Sequence, residues 1–232
     1  MSSDLSSTPI LFLGGAGLPA WIWDEVRADL PAESVVATYP KRADTRLDDC
    51  VSSVLVQAPE GPFTVVAHSL GGVVATQLAA TAPERVAGLL GVSASFPAVG
   101  ASFLGASALQ RVVLGAVMRV AGTRPPERAI RSVLCAGLGE NDIQRIVSEF
   151  EPESPRLYRD RMSRRAFPGW TGYVVTTADP MFRATTQHRH AAELGPGFRR
   201  ELPTGHLPML QDPSALVSII QEFTTGACAP AP

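Results

Sequence analysis

The sequence predicts an α/β fold: a doubly wound, mostly parallel sheet carrying a helical cap insertion. Three observations predict it. Short apolar runs alternate with segments of helical spacing over residues 10–92 and again over 172–223. The first and third of these runs stop abruptly at small residues, Gly14-Gly15-Ala16-Gly17 and Ser69-Leu70-Gly71-Gly72. Between Ser95 and Trp170 the alternation breaks, and only helical patterns remain.

Residues 10–13 form a buried apolar strand, and beyond the glycine-rich loop residues 20–30 have helical spacing that stops at Pro31. That loop matches neither the phosphate-binding pattern G-x-x-x-x-G-K-[ST] nor the dinucleotide pattern G-x-G-x-x-G, which leaves close backbone approach or simple chain reversal as its use. Residues 34–38 read as a second strand, 39–42 as a turn, and 47–58 as a helix ended by Pro59-Glu60-Gly61-Pro62. The β-branched and aromatic run 63–67 is a fully buried strand; residues 73–80 are the helix after it, and 86–92 another buried strand.

Within the insertion, residues 103–121, 126–136, 140–150 and 154–166 read as helices separated by Gly and Pro. The first is rich in Leu, Val, Ala, Phe and Met, and serves either as an apolar ceiling over a site or as ordinary packing against the core. Arg156, Arg159, Arg161, Arg164 and Arg165 either dock an anionic group or form a solvated face. The solvated face is favoured, because Lys41 is the only lysine, arginine carries nearly all positive charge, and Glu151, Glu153 and Asp160 lie beside the cluster. The sheet resumes at 172–177, followed by Ala178-Asp179-Pro180, a helix over 185–194, a last strand over 198–202 and a closing helix to 223. The expected organisation is a core of residues 1–94 and 171–225, a cap of 95–170 and a loose tail of 226–232.

A serine on a sharp strand-to-helix turn needs small residues two positions to either side, and Ala67 and Gly71 meet that demand around Ser69. The following helix aims unpaired N–H groups at the turn, among them that of Leu70. The alternative reading is a tight turn with an incidental serine. Asp179 and His206 also come directly after predicted strands, and a parallel sheet brings the carboxyl ends of its strands to one edge. A hydroxyl, an imidazole and a carboxylate gathered there suit nucleophilic catalysis: the imidazole takes the hydroxyl proton, and the carboxylate orients the imidazole. Of the other histidines, His68 is expected to point away from the site, and His188 and His190 to be surface residues of a helix.

Ala67-His68-Ser69-Leu70-Gly71, the order Ser69, Asp179, His206, and the segment from Gly205-His206 to Asp212-Pro213 together resemble the α/β-hydrolase family, whose elbow is usually written G-x-S-x-G. The resemblance covers nearly the whole chain outside the cap and tail. It implies a catalytic triad of Ser69, His206 and Asp179, with an oxyanion held by the backbone N–H groups of Ala16 and Leu70, Gly14 and Gly15 standing where the family often has His-Gly. It implies no metal and no cofactor. Ala20-Trp21-Ile22-Trp23 and Thr176-Thr177-Ala178-Asp179 look like the esterase and hydroxynitrile lyase branch. Plant hydroxynitrile lyases carry a lysine after the histidine, where this chain has Leu207, and the family's epoxide hydrolases and dehalogenases use an aspartate nucleophile in place of Ser69.

With 232 residues, 45% hydrophobic and 18% charged, the chain is long enough for one sizeable core. A formal net charge of −2 with scattered basic residues argues against nucleic acid as a partner. Cys50, Cys135 and Cys228 stand at neither disulfide-framework nor metal-ligand spacing. Residues 1–9 lack a basic and apolar leader pattern, and no run spans a membrane, so the expectation is a cytoplasmic protein acting on a small molecule with an apolar part. Three functions fit: hydrolysis of a carboxylic ester, lactone or thioester; lyase, cyclase or decarboxylase chemistry with the same groups as acid and base; or ligand binding without turnover.

Overall fold

A computed structural model describes residues 5–104 and 122–226. Among them the strands β1 (Ile10–Leu13), β2 (Ser34–Ala37), β3 (Phe63–His68), β4 (Val86–Val92), β5 (Thr171–Thr176) and β6 (Phe198–Leu202) form one sheet in the order β2-β1-β3-β4-β5-β6. Every pairing is parallel. The chain winds outward from β1 to β2, then crosses back to β3 and builds in the other direction. The crevice for a ligand in such a sheet opens at that reversal, beyond the carboxyl ends of β1 and β3. Leu13 pairs with Ala67, and His68 with Val92, so the loops after β1, β3 and β4 leave from one level.

Strands buried on both faces read as continuous apolar runs, and β1, β3 and β5 are buried at every position. Their side chains alternate between two cores. Leu11, Leu13, Val65 and Tyr173 pack on the side of helices α2 (Leu47–Gln57) and α3 (Gly71–Thr81). Ile10, Phe12, Val66 and Val174 pack on the side of α1 (Asp24–Ala28) and the closing helix Pro213–Gly226. On the edge strand β6, Arg199, Arg200 and Glu201 face outward and blunt further pairing.

The start of α3 is jammed between β1 and the loop after β4. A Cβ at Gly71 would lie 2.3 Å from the Leu13 carbonyl oxygen, and one at Gly72 2.5 Å from that of Ser95. These two glycines let the helix begin where the strand ends.

The connection from β4 to β5 departs from its sequence reading in one helix. Residues 154–166 are helical only over Pro155–Arg159. Asp160 then turns extended, its carboxylate accepting the Leu47 N–H at 3.0 Å at the start of α2, and Met162 exchanges backbone hydrogen bonds with Gly100 and Ala101 at 2.9 Å. Non-local partners outweigh the local helical spacing there. Residues 126–136 make a short α-turn, Glu127–Ala129, that runs into a π-helical turn, Ile130–Leu134. Most of the helix expected over 103–121 lies outside the described residues, as does the tail beyond 226 with Cys228. Cys50 and Cys135 are buried free thiols. Among the described residues, no helix is long and apolar enough to cross a membrane.

Candidate active site

Ser69 follows the last residue of β3 and has φ 52°, a left-handed conformation that costs a non-glycine residue about 1–3 kcal/mol. Its surroundings hold it there: the Ser69 carbonyl accepts from the N–H groups of Ser95 at 2.9 Å and Gly72 at 3.2 Å. The hydroxyl thereby stands clear of the sheet, 3.0 Å from His206 Nε2. On the other side of the ring, Nδ1 lies 2.6 Å from Asp179 Oδ2. Ser69 is 7% exposed, Asp179 4% and His206 1%, so the whole relay is shielded from solvent except at the serine end.

Asp179 uses its two oxygens separately. Oδ1 accepts the N–H groups of Met181 and Phe182, both at 2.8 Å, in an Asx turn. Oδ2 faces His206 and also accepts from the Ser93 hydroxyl at 2.8 Å and the Thr176 hydroxyl at 3.2 Å. Burial pushes the carboxyl up, but the hydrogen bond and charge of His206, with donors from Phe182 and Ser93, outweigh it and hold Asp179 below the usual carboxylate range. It stays ionised beside the ring.

Two further residues brace the relay. Ser93, fully buried at the end of β4 with φ 46°, donates to Asp179 and lies 3.3 Å from His206 Nδ1. It is a second serine in a left-handed turn, yet it sits on the carboxylate side of the ring with no exposed surface, whereas Ser69 sits on the Nε2 side and lines a cavity. His68 does not point away from the site. Its Nε2–H donates to the His206 carbonyl at 2.8 Å, and the two rings lie 4.7 Å apart. Burial, with His206 nearby, pushes the His68 imidazole down to about 3, so it is neutral. His190 is half-buried on its helix, not fully exposed: its Nδ1 accepts the Phe96 N–H at 3.0 Å, and burial lowers it. His188 is exposed, as expected.

The glycine-rich loop closes over the serine. A Cβ at Gly15 would lie 2.9 Å from His68 Nδ1 and 3.1 Å from Ser69 Cβ, and Gly17, at φ +72°, leaves room for the Phe150 ring. Among the described residues, the backbone N–H groups of Ala16 and Leu70 have no acceptor. Ala16 lines a cavity of about 240 Å³ with Ser69 and His206, roofed by Ile130, Leu134 and Phe150 from the β4–β5 connection. The remaining lining is largely apolar. An electrophilic carbonyl seated here would meet a hydroxyl with a base behind it, and two free N–H groups near the turn. No cluster of three or more His, Cys, Asp or Glu side chains fit to hold a metal ion is present among the described residues.

A family model described as "Alpha/beta hydrolase family" matches residues 10–219. A pimeloyl-[acyl-carrier protein] methyl ester esterase of Pectobacterium carotovorum is 35% identical over 100 residues, a match spanning 38% of this chain and 38% of that protein. An extracellular alpha/beta-hydrolase from a Paenibacillus species superposes with a TM-score of 0.74 at 18% identity, covering 92% of this chain and 97% of that one. A methylesterase from Arabidopsis superposes with a TM-score of 0.73 at 16% identity, covering 92% and 97%. At these identities the two structures speak to fold alone.

Proposed function

This chain belongs to the alpha/beta hydrolase family, and on that premise we propose that it is a serine hydrolase that cleaves a carboxylic ester with a small alcohol and an apolar acyl part. The observation that carries the proposal is the relay Ser69 Oγ, His206 Nε2, His206 Nδ1, Asp179 Oδ2, at 3.0 and 2.6 Å, opening onto an apolar cavity of about 240 Å³. The esterase name of the partial relative from Pectobacterium agrees with an ester substrate.

In this reading Ser69 Oγ attacks the ester carbonyl while its proton passes to His206 Nε2. The charge that builds on the carbonyl oxygen is met by the Ala16 and Leu70 N–H groups, each worth about 3 kcal/mol of barrier if lost. His206 then returns the proton to the departing alkoxide, which leaves as the alcohol. Water, deprotonated by His206, attacks the acyl-Ser69 carbonyl, and the carboxylic acid and the free hydroxyl are regenerated. Asp179 holds the Nδ1 proton throughout and stabilises the imidazolium. The described parts of the segment 95–170, residues 95–104 and 122–170, serve as the cap that keeps the cavity apolar.

The test is the rate on short-chain p-nitrophenyl esters for the parent and for Ser69→Ala, with mass spectrometry of the parent quenched during turnover. An acyl adduct on Ser69, and a loss of at least about a thousandfold in the variant, support the esterase. Turnover with no adduct assigns the same groups to acid–base chemistry instead.

A further inference from the structure

The loop that carries Ala16 is not held by packing alone. Ala16 lines the cavity with Ser69, while its neighbours Gly14, Gly15 and Gly17 line a separate, larger one of about 410 Å³. A loop with open space on both sides needs polar tethers to keep an N–H aimed at one point.

Those tethers are present, and most come from the β4–β5 connection. The Tyr39 hydroxyl donates to the Gly14 carbonyl at 3.1 Å. At the other end the Gly17 N–H donates to Glu153 Oε1 at 3.3 Å, and the Gly17 carbonyl accepts the Glu151 N–H at 3.1 Å. Phe150 fills the space where a side chain on Gly17 would stand. Glu153 is 2% exposed and forms an ion pair with Lys41, and its second oxygen has no partner among the described residues. The adjacent Ser154 hydroxyl donates to the Ala43 carbonyl at 2.9 Å, fastening the same segment to the loop after β2.

A buried ion pair is seldom a net gain in stability over apolar packing, so its use lies elsewhere. The Glu153 side chain, itself part of the β4–β5 connection, joins the oxyanion loop through Gly17 to the loop after β2 through Lys41. We infer that Glu153, clamped by Lys41, is a positioning residue that sets the orientation of the Ala16 N–H. Oxyanion binding is thereby conditional on the β4–β5 connection being docked. The inference rests on the esterase reading above.

The experiment compares the parent with Lys41→Met, Glu153→Ala, Glu153→Gln and Ser69→Ala. Two quantities are read: kcat and KM on a p-nitrophenyl ester, and the affinities for a trifluoromethyl ketone, which forms an oxyanion on the serine, and for the matching alcohol, which does not. Lys41→Met and Glu153→Ala are expected to lose about tenfold to a hundredfold in kcat, the scale of a misplaced group, with KM changed less than about threefold. Affinity for the ketone should fall in step while affinity for the alcohol holds. Glu153→Gln, which keeps an acceptor for Gly17, should retain most of kcat. Parental kcat in Lys41→Met and Glu153→Ala, or equal losses for ketone and alcohol, overturns the inference. Lys41 is partly exposed, so its variant decides the matter if Glu153→Ala does not fold. Inactive Ser69→Ala beside unaffected Lys41→Met sinks this inference alone; active Ser69→Ala sinks the esterase reading and this inference with it.

Discussion

The Ser93 hydroxyl donates at 2.8 Å to Asp179 Oδ2, the same oxygen that lies 2.6 Å from His206 Nδ1. The serine and the imidazole therefore share one acceptor, and Ser93, 3.3 Å from His206 Nδ1, braces the carboxylate alongside the ring. Replacing Ser93 by Ala removes one donor of several to Asp179. We expect kcat to fall by about threefold to tenfold, against a loss of at least about a thousandfold for Ser69→Ala. Steady-state kinetics of the two variants side by side check this; equal losses would put the nucleophile assignment in question.

His68 supplies a pH dependence of stability. Its folded pKa of about 3 lies below the value near 6.5 of an unfolded chain. Between those values the unfolded chain binds a proton that the native ring does not, so stability falls as pH falls, by up to about 1.4 kcal/mol per pH unit. His68→Gln, which retains a donor for the His206 carbonyl, should flatten that slope. Urea midpoints measured from pH 7 to pH 4 for parent and variant give the comparison, and superimposable profiles would refute it.

Gly17→Ala tests the loop by sterics. The added Cβ would lie 2.2 Å from the Phe150 ring, and φ +72° is unfavourable for alanine. Stability should drop by about 1–3 kcal/mol together with kcat. Gly139→Ala is the control: no atom lies within 4 Å of its Cβ and φ is −70°, so a change of about 0.5 kcal/mol or less is expected. Thermal denaturation distinguishes the two.

Cys50 and Cys135 are buried, and burial pushes their thiols up to about 12 and about 11. A thiolate is needed for alkylation, so neither should react in the native protein. In a Cys228→Ser background, iodoacetamide should leave the folded chain unlabelled and mark both sites in urea, as read by intact mass. Rapid native labelling would show that one of them is reached without unfolding.

Most of the sheet was legible because its central strands are buried on both faces: the apolar run over 86–92 has the observed bounds of β4, and the edge strand β6 also has its expected bounds, 198–202, although its three middle residues are exposed. Ser69, Asp179 and His206 were legible as residues placed directly after predicted strands, and the structure brings them together. What the sequence hid depends on partners far along the chain. Ser93 looks like any small residue until β4 is laid beside β5 and its turn meets Asp179. His68 reads as an idle neighbour of the serine, since its acceptor is a carbonyl 138 residues away. The helix expected past Arg159 fails for the same reason, its local spacing overridden by Leu47, Gly100 and Ala101.

Lys41 is the chain's only lysine, and its ammonium is engaged by Glu153. Apart from the amino terminus, an aldehyde used for reductive methylation of amines therefore has a single address on this protein. Its rate of attack there is a direct gauge of how often the ion pair opens, without any engineered label. A substrate analogue that tightens the β4–β5 connection onto the glycine-rich loop would protect that amine, and one that pries the connection away would expose it. The scarcity of one residue type makes the chain its own chemical reporter.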